Sequence, residues 1–194
     1  MKTHTATRST SAFTLIELLI VISIIAILSS LIVAGASSAI RTANNVACKA
    51  VITEINSAIR NYQSEYNRLP IAPGSSEQVI EFSAGNPVLG TLLGVGANKL
   101  NPQHTRFMEP HPGKHGIDGL VGDDGSYALM DHWGQAYRVL LDADGDGRIA
   151  NPDRQSPDEA IASNTSTSLL MPSAVFSLGA DKTANTKDDV CSWR

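Results

Sequence analysis

Five oxygen-bearing positions within one short segment have the residue types and the spacing to bind a metal ion. They are Asp142, Asp144, Asp146, Arg148 through its backbone carbonyl, and Asp153. Alternate residues of a tight loop point their oxygens inward, and Gly147 permits the sharp turn that brings them together. Ligand sets made only of oxygen favour calcium over zinc or copper. The spacing therefore predicts a calcium loop over residues 142–153.

This pattern resembles the calcium loops of EF-hands and dockerins, with acids at alternate positions, glycine at the sixth and isoleucine at the eighth. Asp153, at the last position, is shorter than the usual glutamate. A strand, and not a helix, leads into the loop. The alternative interpretation is a solvated Asp/Gly turn that follows a strand and holds no ion.

The motifs of the common catalytic classes do not occur in this sequence. It has no Gly-x-Ser-x-Gly nucleophile elbow and no glycine-rich phosphate loop. His111 and His115 are not helical and have no acid between them, so they do not match the zinc-protease pattern. The formal net charge of -4 provides no basic field for nucleic acid. We therefore expect a protein that is not an enzyme and has no nucleic-acid partner.

An uncharged apolar segment of 23 residues runs from Leu18 to Ile40. As a helix it would span roughly 34 Å, which is enough to cross the roughly 30 Å hydrocarbon core of a bilayer. The polar leader before it carries Lys2 and Arg8 and no acid. This charge bias favours a cytoplasmic N-terminus and an exported C-terminal domain.

Three interpretations of this N-terminus compete. A secretory signal cleaved after Ala36 would have a small-x-small site, but its apolar core should be only about 7–15 residues long. A plain transmembrane anchor leaves Glu17 unexplained, because a carboxylate in hydrocarbon costs several kcal/mol unless it is paired. The third interpretation comes from the residues around that glutamate.

Residues 11–20, Ser-Ala-Phe-Thr-Leu-Ile-Glu-Leu-Leu-Ile, closely resemble the processing motif of type IV prepilins and type II secretion pseudopilins. The resemblance implies cleavage between Ala12 and Phe13 by a prepilin peptidase, methylation of Phe13, and retention of the apolar helix. It also implies that Glu17 meets the N-terminal amine of a neighbouring subunit during assembly. A buried carboxylate is tolerated when a cationic amine neutralises it. This chain departs from the family pattern at Ala12, where the family prefers glycine.

The helix is expected to continue beyond the apolar segment. Apolar or half-apolar residues recur at steps of three and four, which keeps one helix face apolar; they are Cys48, Ile52, Ile55, Ile59, Tyr62 and Tyr66. Pro70 ends this pattern. The sequence therefore predicts a removed leader at 1–12, a transmembrane and filament-core helix at 13–40, its amphipathic continuation at 41–69, and a periplasmic domain at 70–194.

The domain after Pro70 is expected to combine short helices with a small antiparallel sheet. Ser75 or Ser76 predicts the cap of a short helix running to Phe82, and residues 89–93 predict a second helical piece. Residues 127–130, 136–141 and 175–178 are the best strand candidates, with a polar excursion at 151–168 before the last of them. The predicted fold class is α+β: a pilin-like long helix packed on a small antiparallel sheet.

Spaced residues near the C-terminus are similar to the C-terminal domain of type II secretion major pseudopilins. The matching residues are Asp131, Trp133, Gly134, Tyr137, Ser177, Gly179, Asp181, Asp188, Asp189, Val190, Ser192 and Trp193. The resemblance implies a calcium ion held in this loop by aspartates and backbone carbonyls. Carried over by position, Asp181 and Asp188 become the expected side-chain ligands, with Asp189 as a further candidate.

The two cysteines, Cys48 and Cys191, are too few for a disulfide scaffold. One bridge would tie the C-terminal segment to the long helix. Two unrelated thiols are the alternative, because sequence does not give the distance between the cysteines.

These observations together predict a structural, pilin-like subunit of a type II secretion pseudopilus that supports protein export, with one or two structural calcium ions. The expected partners are the prepilin peptidase, copies of the chain, other pseudopilins and the inner-membrane assembly platform. The subunit would cross the inner membrane once and then enter a periplasmic or surface filament. A type IV pilus subunit, a secreted calcium-binding domain and an enzyme on a pilin-like anchor remain alternatives.

Overall fold

The computed structural model describes residues 13–96, 99–123, 125–163 and 165–194. The chain divides into two units, residues 1–43 and residues 44–194. The leader and Ala12 lie outside the described residues. The expected α+β class is confirmed, because a long N-terminal helix is followed by small antiparallel sheets.

Helix α1 extends over Leu15–Tyr66 and is 52 residues long. In the first unit its apolar side chains are exposed, from Leu15 at 83% to Ile32 at 69%. An 18-residue window of this helix has a mean hydropathy of 2.9 without burial inside the protein, and its length and composition suffice to cross a membrane. Apolar side chains exposed on all sides of a helix require lipid or other apolar helices as partners.

The second unit begins inside α1, where the helix becomes amphipathic. The expected stripe is confirmed: Cys48, Ile52, Ile55, Ile59 and Tyr62 are buried in the main apolar core. The helix ends at Tyr66, and Asn67 follows with φ of 50°, a left-handed conformation that asparagine tolerates after a helix C-terminus. The end therefore comes before Pro70, as its position indicated.

The remaining elements are short. They are β1 (Ile80–Glu81), α2 (Pro87–Leu93), β2 (Gly119–Val121), β3 (Ala128–Met130), β4 (Arg138–Leu141), β5 (Ile149–Ala150), a 3-10 helix (Pro152–Gln155), α3 (Glu159–Ser163), β6 (Ser168–Leu169), β7 (Ser173–Ser177) and β8 (Val190–Cys191). The main sheet has the order β1-β4-β7-β8. Two further pairs, β2 with β3 and β5 with β6, complete the sheets of the described residues.

The central pair of the main sheet is β4 with β7, antiparallel, with Val139 opposite Val175. Side chains alternate between the two faces of a strand. Val139 and Val175 accordingly enter the core that α1 covers, whereas Leu140 and Phe176 enter a second apolar cluster on the other face. Both faces of this small sheet are therefore buried.

The helix expected from Ser75 to Phe82 is wrong. Residues 75–79 are irregular, and Ile80 and Glu81 pair as a strand with Val139 and Arg138. The main-sheet pairing and the ion pair between Glu81 and Arg138 stabilise an extended segment that local capping residues did not indicate. Long-range pairing of this kind overrides weak local propensity.

Removing a side chain from the buried stripe of α1 should destabilise the second unit. Ile55→Ala is expected to lower the free energy of unfolding by about 2–5 kcal/mol, because Ile55 is fully buried and a cavity would remain. Val46→Ala is the matched control, since Val46 is 65% exposed and its truncation should change stability by no more than about 0.5 kcal/mol.

The measurement is urea unfolding of the full chain in detergent, followed by tryptophan fluorescence. If the free energy of unfolding fell by the same small amount in both variants, the packing of α1 against the sheet would be contradicted.

Candidate functional site

Glu17 lies in the first turn of α1 and forms a reciprocal cap with Thr14. The Thr14 backbone N–H and hydroxyl donate to Glu17 Oε2 at 3.0 and 2.9 Å, and the Glu17 N–H donates to Thr14 Oγ1 at 3.3 Å. This is the capping-box arrangement, in which two helix-end donors are satisfied by the paired side chains. It places the carboxylate at the start of the helix, close in sequence to Phe13.

The Asp/Gly loop between β4 and β5 brings three of its predicted acids together. Its backbone folds onto their carboxylates: Gly145 and Gly147 N–H donate to the two Asp142 oxygens at 2.7 and 2.8 Å, and Arg148 N–H donates to Asp146 at 2.7 Å. Gly145 and Gly147 both have φ of 78°, a conformation open to glycine that explains their place in the loop. Asp142 itself is nearly buried, with 7% exposure.

The fourth acid of this group is Glu77, which the sequence did not indicate. One carboxylate oxygen from each of Glu77, Asp142, Asp144 and Asp146 lies within 4.8 Å of the others. Glu77 is exposed, but its limited desolvation raises its pKa, and the negative charge of Asp144 raises it further. Glu77 belongs to the irregular segment before β1, far from the loop in sequence, so no spacing pattern could connect them.

Asp153 does not join this group. It is 2% exposed, in the 3-10 helix, and its Oδ2 accepts from Trp193 Nε1 at 2.9 Å and from Arg194 Nε at 3.0 Å. Burial alone would raise the pKa of Asp153, but the hydrogen bonds from Arg194 and Trp193 outweigh it and hold the pKa below its usual range. The structure thus assigns this carboxylate to Arg194 and Trp193, and Glu77 stands at the loop in its place.

The second acidic loop lies between β7 and β8. Asp181, Asp188 and Asp189 each contribute an oxygen to a group within 4.8 Å. The backbone N–H groups of Asp181 and Asn185 donate to Asp188 and Asp189 at 2.9 and 2.7 Å. Burial raises the pKa of Asp189, which is 8% exposed. The three residues named from the resemblance are therefore brought together by the fold.

Three residues of the C-terminal motif, Asp131, Ser177 and Gly179, belong to a polar network that leads into this loop. Asp131 accepts from the backbone of Trp133 and Gln135 at 2.9 and 2.8 Å and from the Ser177 hydroxyl at 2.6 Å. Ser177 also accepts from Gly179 N–H at 3.1 Å. A Cβ at Gly179 would collide with the backbone of Asp188, so this position requires glycine. The network fixes the start of the acidic loop.

Cys48 and Cys191 are free, buried thiols in this structure. Cys48 lies on α1 and packs in the main core, and Cys191 packs in the cluster on the opposite face of the main sheet. Burial raises the pKa of Cys48 and raises that of Cys191 to about 12, so neither is an activated thiolate. A bridge between them is not formed here and stays a prediction from the sequence.

A family model for the prokaryotic N-terminal methylation motif matches residues 7–33. The N-terminus of the chain therefore carries this methylation motif. It is also similar to the type II secretion system core protein G of Pectobacterium carotovorum subsp. carotovorum, at 24% identity over 181 residues. That similarity covers 93% of this chain and 83% of the relative, so it includes both the helix and the C-terminal domain. No solved structure matches the chain.

These findings support a pseudopilin-like protein anchored by an apolar helix. Phe13 and Glu17 both lie within the residues that match the methylation motif.

Proposed function

We propose that this chain is a structural subunit of a type II secretion pseudopilus that supports protein export and is not itself an enzyme. The observation that carries the proposal is the joint occurrence of the methylation motif and the similarity to a type II secretion core protein over almost the whole chain. The exposed apolar helix supports it, because such a surface needs a membrane before assembly and neighbouring helices afterwards.

The proposed processing begins with cleavage between Ala12 and Phe13 by a prepilin peptidase, followed by methylation of Phe13. Residues 13–40 then anchor the subunit in the inner membrane, 41–69 continue the helix outside it, and 70–194 form the periplasmic domain. Repeated subunits, joined by other pseudopilins at the assembly platform, would pack head to tail. Such heterologous contacts generate an open helical filament instead of a closed ring.

Glu17 is proposed to pair with the N-terminal amine of a neighbouring subunit in the apolar filament core. Its position one turn from Phe13, held by Thr14, supports this role because the carboxylate is already directed to the helix start. A charge buried without its partner is strongly destabilising, by about 3–5 kcal/mol. The pairing would therefore disfavour subunits in the wrong register.

Deleting the gene in the source strain should abolish the release of exported proteins into the medium, and the wild-type gene should restore it. Glu17→Gln should fail to restore export although the subunit is processed normally, because glutamine keeps the cap but not the charge. Thr14→Ala is the matched variant, which loses the hydroxyl and keeps the charge, and it should restore most export. Immunoblots of the medium measure export, and immunoblots of the membrane fraction measure processing of the subunit.

Loss of surface fibres with normal export in the deletion strain would overturn the secretion assignment in favour of a type IV pilus subunit. Full export with Glu17→Gln, combined with loss in Thr14→Ala, would show that Glu17 serves only as a helix cap.

Calcium is proposed as a structural ligand of both acidic loops. The fit rests on oxygen donors alone: four carboxylates with Glu77 in one group and three with Asp181 in the other. Like charges gathered this closely repel one another unless a cation neutralises them. An ion that binds the folded chain and not the unfolded one would stabilise the fold.

Calorimetric titration of calcium into the chelator-treated full chain in detergent should give two sites. Asp144→Ala should remove one and Asp181→Ala the other, while Glu77→Gln should weaken the first by about tenfold, equivalent to about 1.4 kcal/mol. Glu65→Gln, an exposed acid on α1, is the control and should change neither.

Absence of heat in the wild type would reject both calcium sites. Unchanged binding in Glu77→Gln would leave the loop acids alone as ligands and remove Glu77 from the site.

A further inference from the structure

Asp153 is a buried carboxylate whose charge is compensated by one residue of the C-terminal segment. Its side chain is only 3% exposed, and Arg194 contacts both of its oxygens, with Nε on Oδ2 and Nη2 on Oδ1. A two-point contact between guanidinium and carboxylate fixes orientation as well as charge. Trp193 Nε1 adds a third donor at 2.9 Å. Asp153 thereby holds residues 193 and 194 against the 3-10 helix.

The same guanidinium also holds the acidic loop between β7 and β8. Arg194 Nη1 donates to the backbone carbonyl of Thr186 at 2.7 Å, in the middle of that loop. One planar group therefore connects the buried Asp153 to the backbone beside the three loop carboxylates. The backbone of Arg194 is itself held in place, because Lys49 of α1 donates to the Arg194 carbonyl at 2.9 Å.

Two further contacts join the loop to the segment that carries Asp153. The Ser156 hydroxyl donates to the Asn185 carbonyl at 2.5 Å, and Lys187 pairs with Asp158 at 3.1 Å. The Lys187 pair is largely exposed at the lysine and contributes little. Residues 185, 186 and 187 are thus held in succession by the 153–158 segment and Arg194.

Asn185 and Thr186, whose carbonyls accept these contacts, also donate hydrogen bonds to the carboxylates of the loop. Asn185 N–H donates to Asp189 Oδ2 at 2.7 Å, and the Thr186 hydroxyl donates to Asp188 at 2.8 Å and to Asp189 at 3.1 Å. Asn185 also adopts a φ of 65°, a left-handed conformation that most residues avoid. External contacts on its carbonyl help to maintain that backbone against the repulsion of the neighbouring carboxylates.

We propose that Asp153 and Arg194 form a latch that positions the acidic loop 181–189, with Ser156 as its second support. Asp153 is then a positioning residue for this loop and not a ligand in the Asp/Gly loop between β4 and β5, which is loop 142–148. The part of the inference that concerns calcium rests on the proposed calcium role, whereas the positioning of the loop does not.

Amide hydrogen exchange of the full chain in detergent, measured by mass spectrometry, tests the latch directly. Asp153→Asn and Arg194→Gln should each speed exchange in peptides covering residues 181–189 by about tenfold, because a charge-assisted contact on the loop backbone is lost. Peptides covering β7 should exchange as in the wild type. Arg194→Lys should show an intermediate rate, since lysine keeps the charge and loses the two-point contact.

Arg154→Gln is the matched control, because Arg154 is an exposed cation beside Asp153 whose side chain donates within its own segment, to Ala162 at 3.5 Å. It should leave the loop unchanged. Wild-type exchange of the loop in both Asp153→Asn and Arg194→Gln would overturn the latch. If either variant unfolds as a whole, Ser156→Ala decides: faster loop exchange supports the latch and an unchanged rate contradicts it.

Calcium titration separates this inference from the proposed metal role. In Asp153→Asn the affinity for calcium at loop 181–189 should fall about tenfold, while the heat from loop 142–148 stays unchanged. A wild-type chain that takes up no calcium would reject the metal role alone, and hydrogen exchange would still decide the latch. Equal loss of affinity at both loops would contradict a latch specific to the second loop.

Discussion

The structure depends on one helix that must satisfy two different surroundings. Up to Ala43, α1 exposes apolar side chains around its circumference, as at Leu15 with 83% exposure. Beyond that point it buries one face, including Ile55 and Ile59, in the core of its own domain. A surface of the first kind is stable only in lipid or against other apolar helices. The helix therefore joins a segment whose surface suits a membrane to the folded domain.

Much of this was predictable because helices and strands leave local patterns. The steps between Cys48, Ile52 and Ile55 indicated the buried face of α1, and the short apolar runs at 136–141 and 175–178 indicated β4 and β7. Residues 75–82 were predicted as a capped helix and instead lead into β1. The deciding interaction there is the pairing of Ile80 with Val139, which local sequence does not reveal. Short segments with weak propensity follow their distant partners.

The acidic loops show the same division between local and distant information. Turn chemistry and spacing brought Asp142, Asp144 and Asp146 together as predicted, because each lies within one tight loop. Glu77, for which the sequence predicted no role, lies at the loop, whereas Asp153, predicted as the last ligand, pairs with Arg194. Both outcomes depend on contacts across long sequence separations. The spacing pattern thus predicted the acids that lie within the tight loop, but not which acid from outside the loop would join them.

The central claim is that the chain is processed as a prepilin and keeps its apolar helix. The most direct measurement is the mass of the N-terminal peptide of protein recovered from the membrane fraction of the source strain. The account predicts a peptide that begins at methylated Phe13. A peptide that begins at Ser37, from soluble protein, would show removal of the helix and contradict the filament assignment.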